Sequence, residues 1–316
     1  MYAIILKKLT LLCFTLFVSS ALIFLAAEGL PVDVGRNVLG RFAPQEAVDA
    51  MNEKLGLNKP MLERYTNWAS GVLKGDLGFS TSQQQPVASL IVRQAKNSAI
   101  LAAAALVLII PIAFVLGAIA GLFPGSKWDR MISISSLATN STPEFVVGVL
   151  VLLIFAVHFH LLPGSSAMTG GMTPFSAPSR LVLPVITLAI VDIGYLARMM
   201  RISMIEVMNS SYVRAAALRG LPFRRIVVGH ALRSALITPI TVVLLHINWL
   251  IGGIVVTEAI FAYPGLGLLM LTAANQKDVP LLEGGAVVFA LVAVCSQFAA
   301  DFFTVWLNPR SRAGAR

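Results

Sequence analysis

MMRISMIEVMNSSYVRAAALRGLPFRRIVVGHALRSALITP, residues 199–239, is the longest basic, Pro- and Gly-punctuated segment between the hydrophobic runs of this chain. From Arg198 to Arg233 it carries Arg198, Arg201, Arg214, Arg219, Arg224, Arg225 and Arg233 against the single acid Glu206. Its middle has its own helix signals. Asn209, Ser210 and Ser211 can cap a first turn, because short polar side chains accept free amide protons there. Tyr212 to Arg219 is Ala-rich and free of breakers, so a helix costs little. Gly220 fits the stop just past its end and Pro222 follows two residues later. Arg219 falls in the last turn, where a cation suits the negative end of the dipole. Ala215, Ala216 and Ala217 leave this short helix with small side chains, against which another backbone can approach closely.

A basic loop between apolar runs has meaning only in a membrane chain, and the composition agrees. The 316 residues are 57% hydrophobic and 12% charged, where a soluble domain carries about 25% charged residues. The net charge of +9 does not point to nucleic acid. The basic residues cluster beside apolar spans, as an inside-positive membrane protein requires, and no aromatic-interleaved basic patch suits base stacking. Cys13 and Cys295 lie in separate apolar runs and form neither a metal pattern nor a disulfide framework.

Working outward, the chain reads as an all-α polytopic membrane protein of six spans. Residues 9–27 form the first, after Lys7 and Lys8. The run exceeds a usual signal core and lacks an A-x-A site, so a retained helix is expected rather than a leader. Residues 28–97 hold seven acids and eight bases and form a water-exposed excursion, part helical over 44–74. The second span is 98–123, with Pro111 inside it, and the PGSKWDR loop after it is basic. The third is 131–159, a helix containing Asn140, Ser141, Thr142, Pro143 and Glu144. At 1.5 Å per residue Glu144 stands roughly 20 Å along it from Met131. A carboxylate at that depth faces protein or water, and either a functional or a paired structural role fits it. His158 and His160 sit at the exit of this span, at a spacing that suits opposite helix faces better than a metal pair.

The fourth span, 181–200, carries Asp192, which either pairs with Arg198 or lines a polar route. The fifth, 236–257, carries His246 and Asn248, polar positions suited to bonding between helices. The segment after Glu258 is rich in Gly and Pro and reads as a broken or re-entrant stretch, tolerated where protein or water covers the backbone. The sixth span is 285–306. With both ends inside, every loop is satisfied. The resulting division is a first helix with its short N-terminus (1–27), an extracytoplasmic segment (28–97), a five-helix core (98–306) containing the loop 199–237, and a basic tail (307–316).

Three stretches carry a family resemblance. The loop resembles the cytoplasmic EAA loop of ABC-importer permease subunits, a pattern of Glu-Ala-Ala, three residues, Gly, nine residues and Ile-x-Leu-Pro. Aligned on Gly220, Ala215 and Ala216 match the alanines and Leu232 the leucine, while Arg214, His230 and Arg233 depart from Glu, Ile and Pro. Those departures themselves resemble the peptide/nickel branch, whose YVR-x-A-x-x-KG and RHALRNAL are followed here by YVRAAALRG and GHALRSAL. Residues 55–80 are similar to that branch's first outer region through Leu55, Gly56, Leu57, Pro60, Tyr65, Trp68, Gly75, Asp76, Leu77, Gly78 and Ser80, with Asn58 in place of Asp. Residues 258–280 resemble its E-x-x-F-x-x-PGLG…D-x-P signature at Glu258, Phe261, Pro264, Gly265, Leu266, Gly267, Asp278 and Pro280. The tail has Asn308 where the family has Asp.

The resemblance implies a permease subunit of an ATP-driven importer in a bacterial or archaeal inner membrane. It implies a second homologous permease subunit, two ATP-binding subunits that hold the ATP and magnesium, and an extracytoplasmic solute-binding protein. Di- and oligopeptides are the commonest substrates it implies, beside nickel chelates, sugars and opines. It makes Tyr212, Arg214, Ala215, Ala216, Arg219, Gly220, His230 and Leu232 the ATPase-coupling loop. Glu144, Asp192, Asn248 and Glu258 remain as pathway or structural polar residues. No phosphate loop, H-E-x-x-H or G-x-S-x-G occurs, so neither ATP use nor hydrolase chemistry is visible on this chain, and neither a catalytic nor a metal site is expected. The competing reading is an ion-coupled secondary transporter, with Glu144 and Asp192 as a proton relay.

Overall fold

The computed structural model describes residues 2–29, 34–40, 42–54, 56–168 and 172–307. Long apolar runs become long helices, two of which carry a proline inside, Pro111 and Pro184: α1 (Tyr2–Glu28), α5 (Val87–Leu122), α8 (Ser179–Met208), α12 (Ile237–Phe261) and α14 (Val279–Leu307). Shorter elements are α2 (Val34–Leu39), α3 (Gln45–Lys54), α4 (Met61–Leu73), α6 (Lys127–Ser141), α7 (Glu144–Leu152), α9 (Ser211–Leu218), α10 (Phe223–Ile226), α11 (Leu232–Ala235) and α13 (Leu266–Gln276). The expected all-α class holds. Thr10–Glu28, Val87–Leu122, Ser179–Met208, Phe223–Ile247 and Val279–Phe302 are each long and apolar enough to cross a membrane. Two bent pairs, Lys127–Ser141 with Glu144–His158 and Gly252–Phe261 with Leu266–Gln276, pass the same test together. Each of the six expected spans has its counterpart, and the second bent pair is the broken segment expected after Glu258.

The fourth span runs on to Met208 and the apolar stretch of the fifth reaches back to Phe223; the second and third differ most from expectation. The second begins at Val87 rather than 98, because no Gly or Pro stands between Pro86 and residue 98. The third is not one helix. Thr142 and Pro143 are extended (ψ 127° and 138°), since a residue before proline is pushed out of the α region and proline offers no amide to the preceding turn. The chain turns by 101° there. Glu144 therefore does not stand 20 Å along a straight helix from Met131; it opens the first turn of α7. After α7 the helix loosens into a π-helical turn, Leu153–His158.

The described residues fall into two compact units, Met1–Ser98 with Pro264–Cys295, and Ala99–Tyr263 with Ser296–Arg316. In the first, Phe24 of α1 meets Tyr65 (5.5 Å between ring centres) and Trp68 (5.7 Å) of α4, and Arg64 of α4 pairs with Glu28. A second cluster joins Val87, Leu90 and Ile91 to Leu266, Leu269, Ala273 and Leu281.

Here the two outer motifs of the resemblance meet. Gly78 turns with φ +84°, its amide held by Asp76 Oδ1 (2.9 Å). The chain then brings the hydroxyls of Ser80 and Ser82 to Asp278 Oδ2 (2.6 Å each), with the Ser82 amide at 2.9 Å. The Leu281 amide donates to Oδ1 (3.2 Å), which seats the start of α14. Burial pushes the Asp278 carboxyl up, but the hydroxyls of Ser80 and Ser82 and the amides of Ser82 and Leu281 outweigh it and hold it below the usual carboxylate range.

A carboxylate depressed in the folded state stabilises above its unfolded pKa, near 4, and loses that contribution as pH falls through the folded value. Asp278→Asn is therefore expected to cost about 2 kcal/mol at pH 7 and to lower the melting temperature in detergent. The gap from wild type should narrow as both are brought below about pH 4. Equal melting at pH 7 would show that this clamp contributes nothing.

In the second unit α8 is the axis. Leu188, Leu196 and Ala197 pack with Leu101, Ala105 and Ile109 of α5, Val243, Leu250 and Ile254 of α12, and Tyr263. Approaches are close because small residues face α8. A Cβ on Gly117 would fall 2.3 Å from the Ala197 carbonyl oxygen, and one on Gly121 would fall 2.6 Å from Met204 Cβ. These two glycines, four apart on α5, form a small-xxx-small seam of the kind membrane helices use. At the start of α6, Ser126 caps the first turn, accepting from the Asp129 amide (3.2 Å). The Asp129 carboxylate then takes two bonds from the Arg201 guanidinium of α8, Nη2 to Oδ2 at 2.9 Å.

Candidate functional site

The loop after α8 is short helices laid on an apolar base. The base is Met200 and Met204 of α8, closed over by Val213, Ile226, Ala231 and Ala235. The Ser203 hydroxyl reinforces it by donating to the Ala235 carbonyl (2.7 Å). Ser210 occupies the cap position of α9, but its hydroxyl donates back to the Val207 carbonyl (2.5 Å) instead of accepting from α9. The sequence-expected cap is thus in place without its side-chain bond. The expected stop is realised: Gly220 has φ +77° and open space around it, where a side chain would be strained.

The expected coupling residues divide by face. Tyr212, Arg214, Ala215, Arg219, Gly220 and His230 are exposed, whereas Ala216 and Leu232 are half-buried against the methionine base. At 100° per residue Val213, 5% exposed, lies nearly opposite Ala215, so the anchor and the free face are fixed together. The Arg214 guanidinium bonds the Asn209 carbonyl (2.8 Å), bracing the start of α9. Sequence reasoning passed over the most exposed apolar side chains, Leu218 at 89%, Val228 at 66% and Phe223 at 52%. Leu218 was legible, since it stands one turn beyond Ala215 on the face away from Val213.

The polar residues of the spans divide as well. Glu144 and Asp192 line one cavity of about 500 Å³, with Asn140, Tyr195, His246 and Gly253 among its walls. Thr257 of α12 donates to Glu144 Oε1 (2.7 Å). Asp192 does not pair with Arg198. Six residues on one helix are separated by 120° around it, and Asp192 instead accepts the His246 Nε2 proton from α12 (2.7 Å). Tyr195 stacks on His246, 5.0 Å between ring centres and 17° between planes. His246 thus bonds between helices, as its place in a span suggested. Glu258 is fully buried and does not line the cavity; its carbonyl takes the Tyr263 amide (2.9 Å) across the left-handed Ala262 that ends α12. The side chain of Asn248 and the tail with Asn308 lie outside the described residues.

Residues 113–313 match the family described as binding-protein-dependent transport system inner membrane component. Residues 1–102 match the N-terminal region of the same kind of membrane component. The chain is 29% identical over 337 residues to the dipeptide transport system permease protein DppB of Escherichia coli K12, covering 99% of both chains. It is 28% identical to the glutathione transport system permease protein GsiC of Escherichia coli O6:H1, over 98% of both. It is also 30% identical to the "Probable peptide ABC transporter permease protein y4tP" of Sinorhizobium fredii, over 92% of this chain and 93% of that one.

Proposed function

Because the chain belongs to the binding-protein-dependent transport system inner membrane component family, we propose that it forms half of the pathway of an ATP-driven importer of di- or oligopeptides. Membership favours this over an ion-coupled carrier. In this reading the spans turn with both chain ends in the cytoplasm, so that the arginine-rich loop lies inside. A second six-span permease completes the pathway, two separate ATPase subunits bind ATP and magnesium below, and a solute-binding protein delivers the substrate from outside. The peptide assignment rests on the names of the relatives.

One observation supports the coupling role: Val213 packs α9 onto the methionine base while Ala215 and Leu218 are exposed between Arg214 and Arg219. Guanidinium groups on both sides favour water over lipid for this face, and an apolar projection there suits a pocket on a soluble subunit. Movement of that subunit on binding ATP would shift the loop and, through the methionine base, α8. ATP can bias the two pathway states only by its differential affinity for them.

The test is a pull-down of the tagged chain from native membranes, read by mass spectrometry. P-loop ATPases and a second permease are expected with it. Recovery of the chain alone, under detergents that keep comparable complexes intact, overturns the reading in favour of an ion-coupled carrier.

A further inference from the structure

The cavity between α6, α7, α8 and α12 is built around carboxylates. The Glu144 carboxylate lies close over Gly253, where a Cβ would fall 2.4 Å from its Oε2. Thr257, one turn further along α12, holds the other oxygen. Asp192 also lines the space, and its imidazole partner, His246, is stacked on Tyr195. Asn140 and Ser141, which also line the space, end α6, where a helix presents its carbonyls and the negative end of its dipole. No lysine or arginine among the described residues lines the cavity. Among the described residues no cation makes an ion pair with Glu144.

Glu144, set inside a bundle of spans with no lysine or arginine partner among the described residues, calls for a cation from outside the chain, while Asp192 in the same cavity already has the His246 imidazole. A metal ion fits poorly, since no group of three or more His, Cys, Asp or Glu among the described residues could hold one. An organic cation fits better. Leu188, Val191 and Leu250 supply apolar wall, an aromatic face stands beside the carboxylates, and about 500 Å³ lies within the range of small-molecule sites.

We infer that this cavity receives the primary ammonium group of the transported molecule, with Glu144 and Asp192 as its counter-charges. The inference rests on the importer reading and deepens it: the permease itself selects substrates with a free amino group. Asp192 is held by His246, so Glu144 is the more available of the two.

The test measures the local preference for ammonium in the purified complex in nanodiscs. With Cys13→Ser and Cys295→Ser as background, Asn140→Cys is modified by aminoethyl methanethiosulfonate, an ammonium reagent, and by neutral methyl methanethiosulfonate. The ratio of the two rates is expected to be about tenfold higher than at the exposed control Gln84→Cys. Glu144→Gln should bring the ratio down to the control value without changing the neutral rate. Glycinamide should slow the ammonium reagent more than equimolar potassium does.

A ratio at 140 no higher than at 84, a ratio indifferent to Glu144→Gln, or equal protection by potassium overturns the assignment. Uptake of alanyl-alanine by cells separates this from the importer reading. ATP-dependent uptake with a flat labelling ratio rejects the ammonium site alone. The expected ratio without any such uptake leaves the site standing and rejects peptide import.

Discussion

Leu218→Glu is expected to abolish ATP-driven uptake while the chain reaches the membrane at its normal level. The side chain is 89% exposed and makes no part of the base formed by Met200, Met204 and Val213, so its replacement leaves the fold almost unchanged; surface substitutions of this kind fall within about 0.5 kcal/mol. Its cost is paid at the partner. Burying a leucine at an interface is worth about 2–3 kcal/mol, and a carboxylate in the same pocket adds a desolvation penalty. Together these reduce occupancy of the docked state about 100-fold or more.

Two readouts check the result: co-purification of the ATPase with the tagged variant, and uptake against surface-accessible protein. Wild-type co-purification and uptake would remove Leu218 from the docking face. Ala216→Glu is a different experiment, although the loop motif treats the neighbouring alanines alike. Ala216 is half-buried against the base, so a carboxylate there disturbs the loop from within and should lower the amount of folded chain as well.

That contrast marks where the sequence is readable and where it is not. Breakers and caps act locally, so the limits of α9, the stop at Gly220 and the break after Glu258 could all be read from neighbouring residues. Apolar length could be read too, because a span is a run. Pro143 was visible, but whether proline kinks a helix or ends it depends on the residue before it. Thr142 going extended, with its hydroxyl turned back to the Ala138 carbonyl (2.8 Å), made it an end.

Pairings across the fold leave no periodic trace. Asp278 and Ser80 stand 198 residues apart, and His246 and Asp192 stand 54 apart. Nothing in either neighbourhood names the partner. Asp192 could be assigned wrongly to Arg198 because nearness in sequence was the only guide, and the helix turn places the two on different faces. Glu144 and Asp192 were singled out for their cost in a span, and the fold adds that they share one cavity.

Gly117→Val is expected to have the largest effect on the folded chain itself. The new Cβ would fall 2.3 Å from the Ala197 carbonyl oxygen and 2.6 Å from Met200 Cβ. Both obstacles lie on or next to the backbone of α8, so no flexible side-chain tip can swing aside. The helices must separate, at a cost of about 3 kcal/mol or more for overpacking of this kind.

The damage would not stay at the seam. Met200 and Met204 face α5 near Gly117 and Gly121 and also floor the loop beneath Val213 and Ala216. Arg201, between them, reaches Asp129 of α6. Displacing α8 here therefore unseats the loop and strains the ion pair together. The expected result is a lower melting temperature in mild detergent and a smaller monodisperse fraction on size exclusion. Gly252→Ala serves as the control: its site has open space within 4 Å, and alanine is the better helix former, so the variant should melt at or slightly above wild type. If Gly117→Val melts with wild type as well, α5 and α8 do not approach as closely as this seam requires.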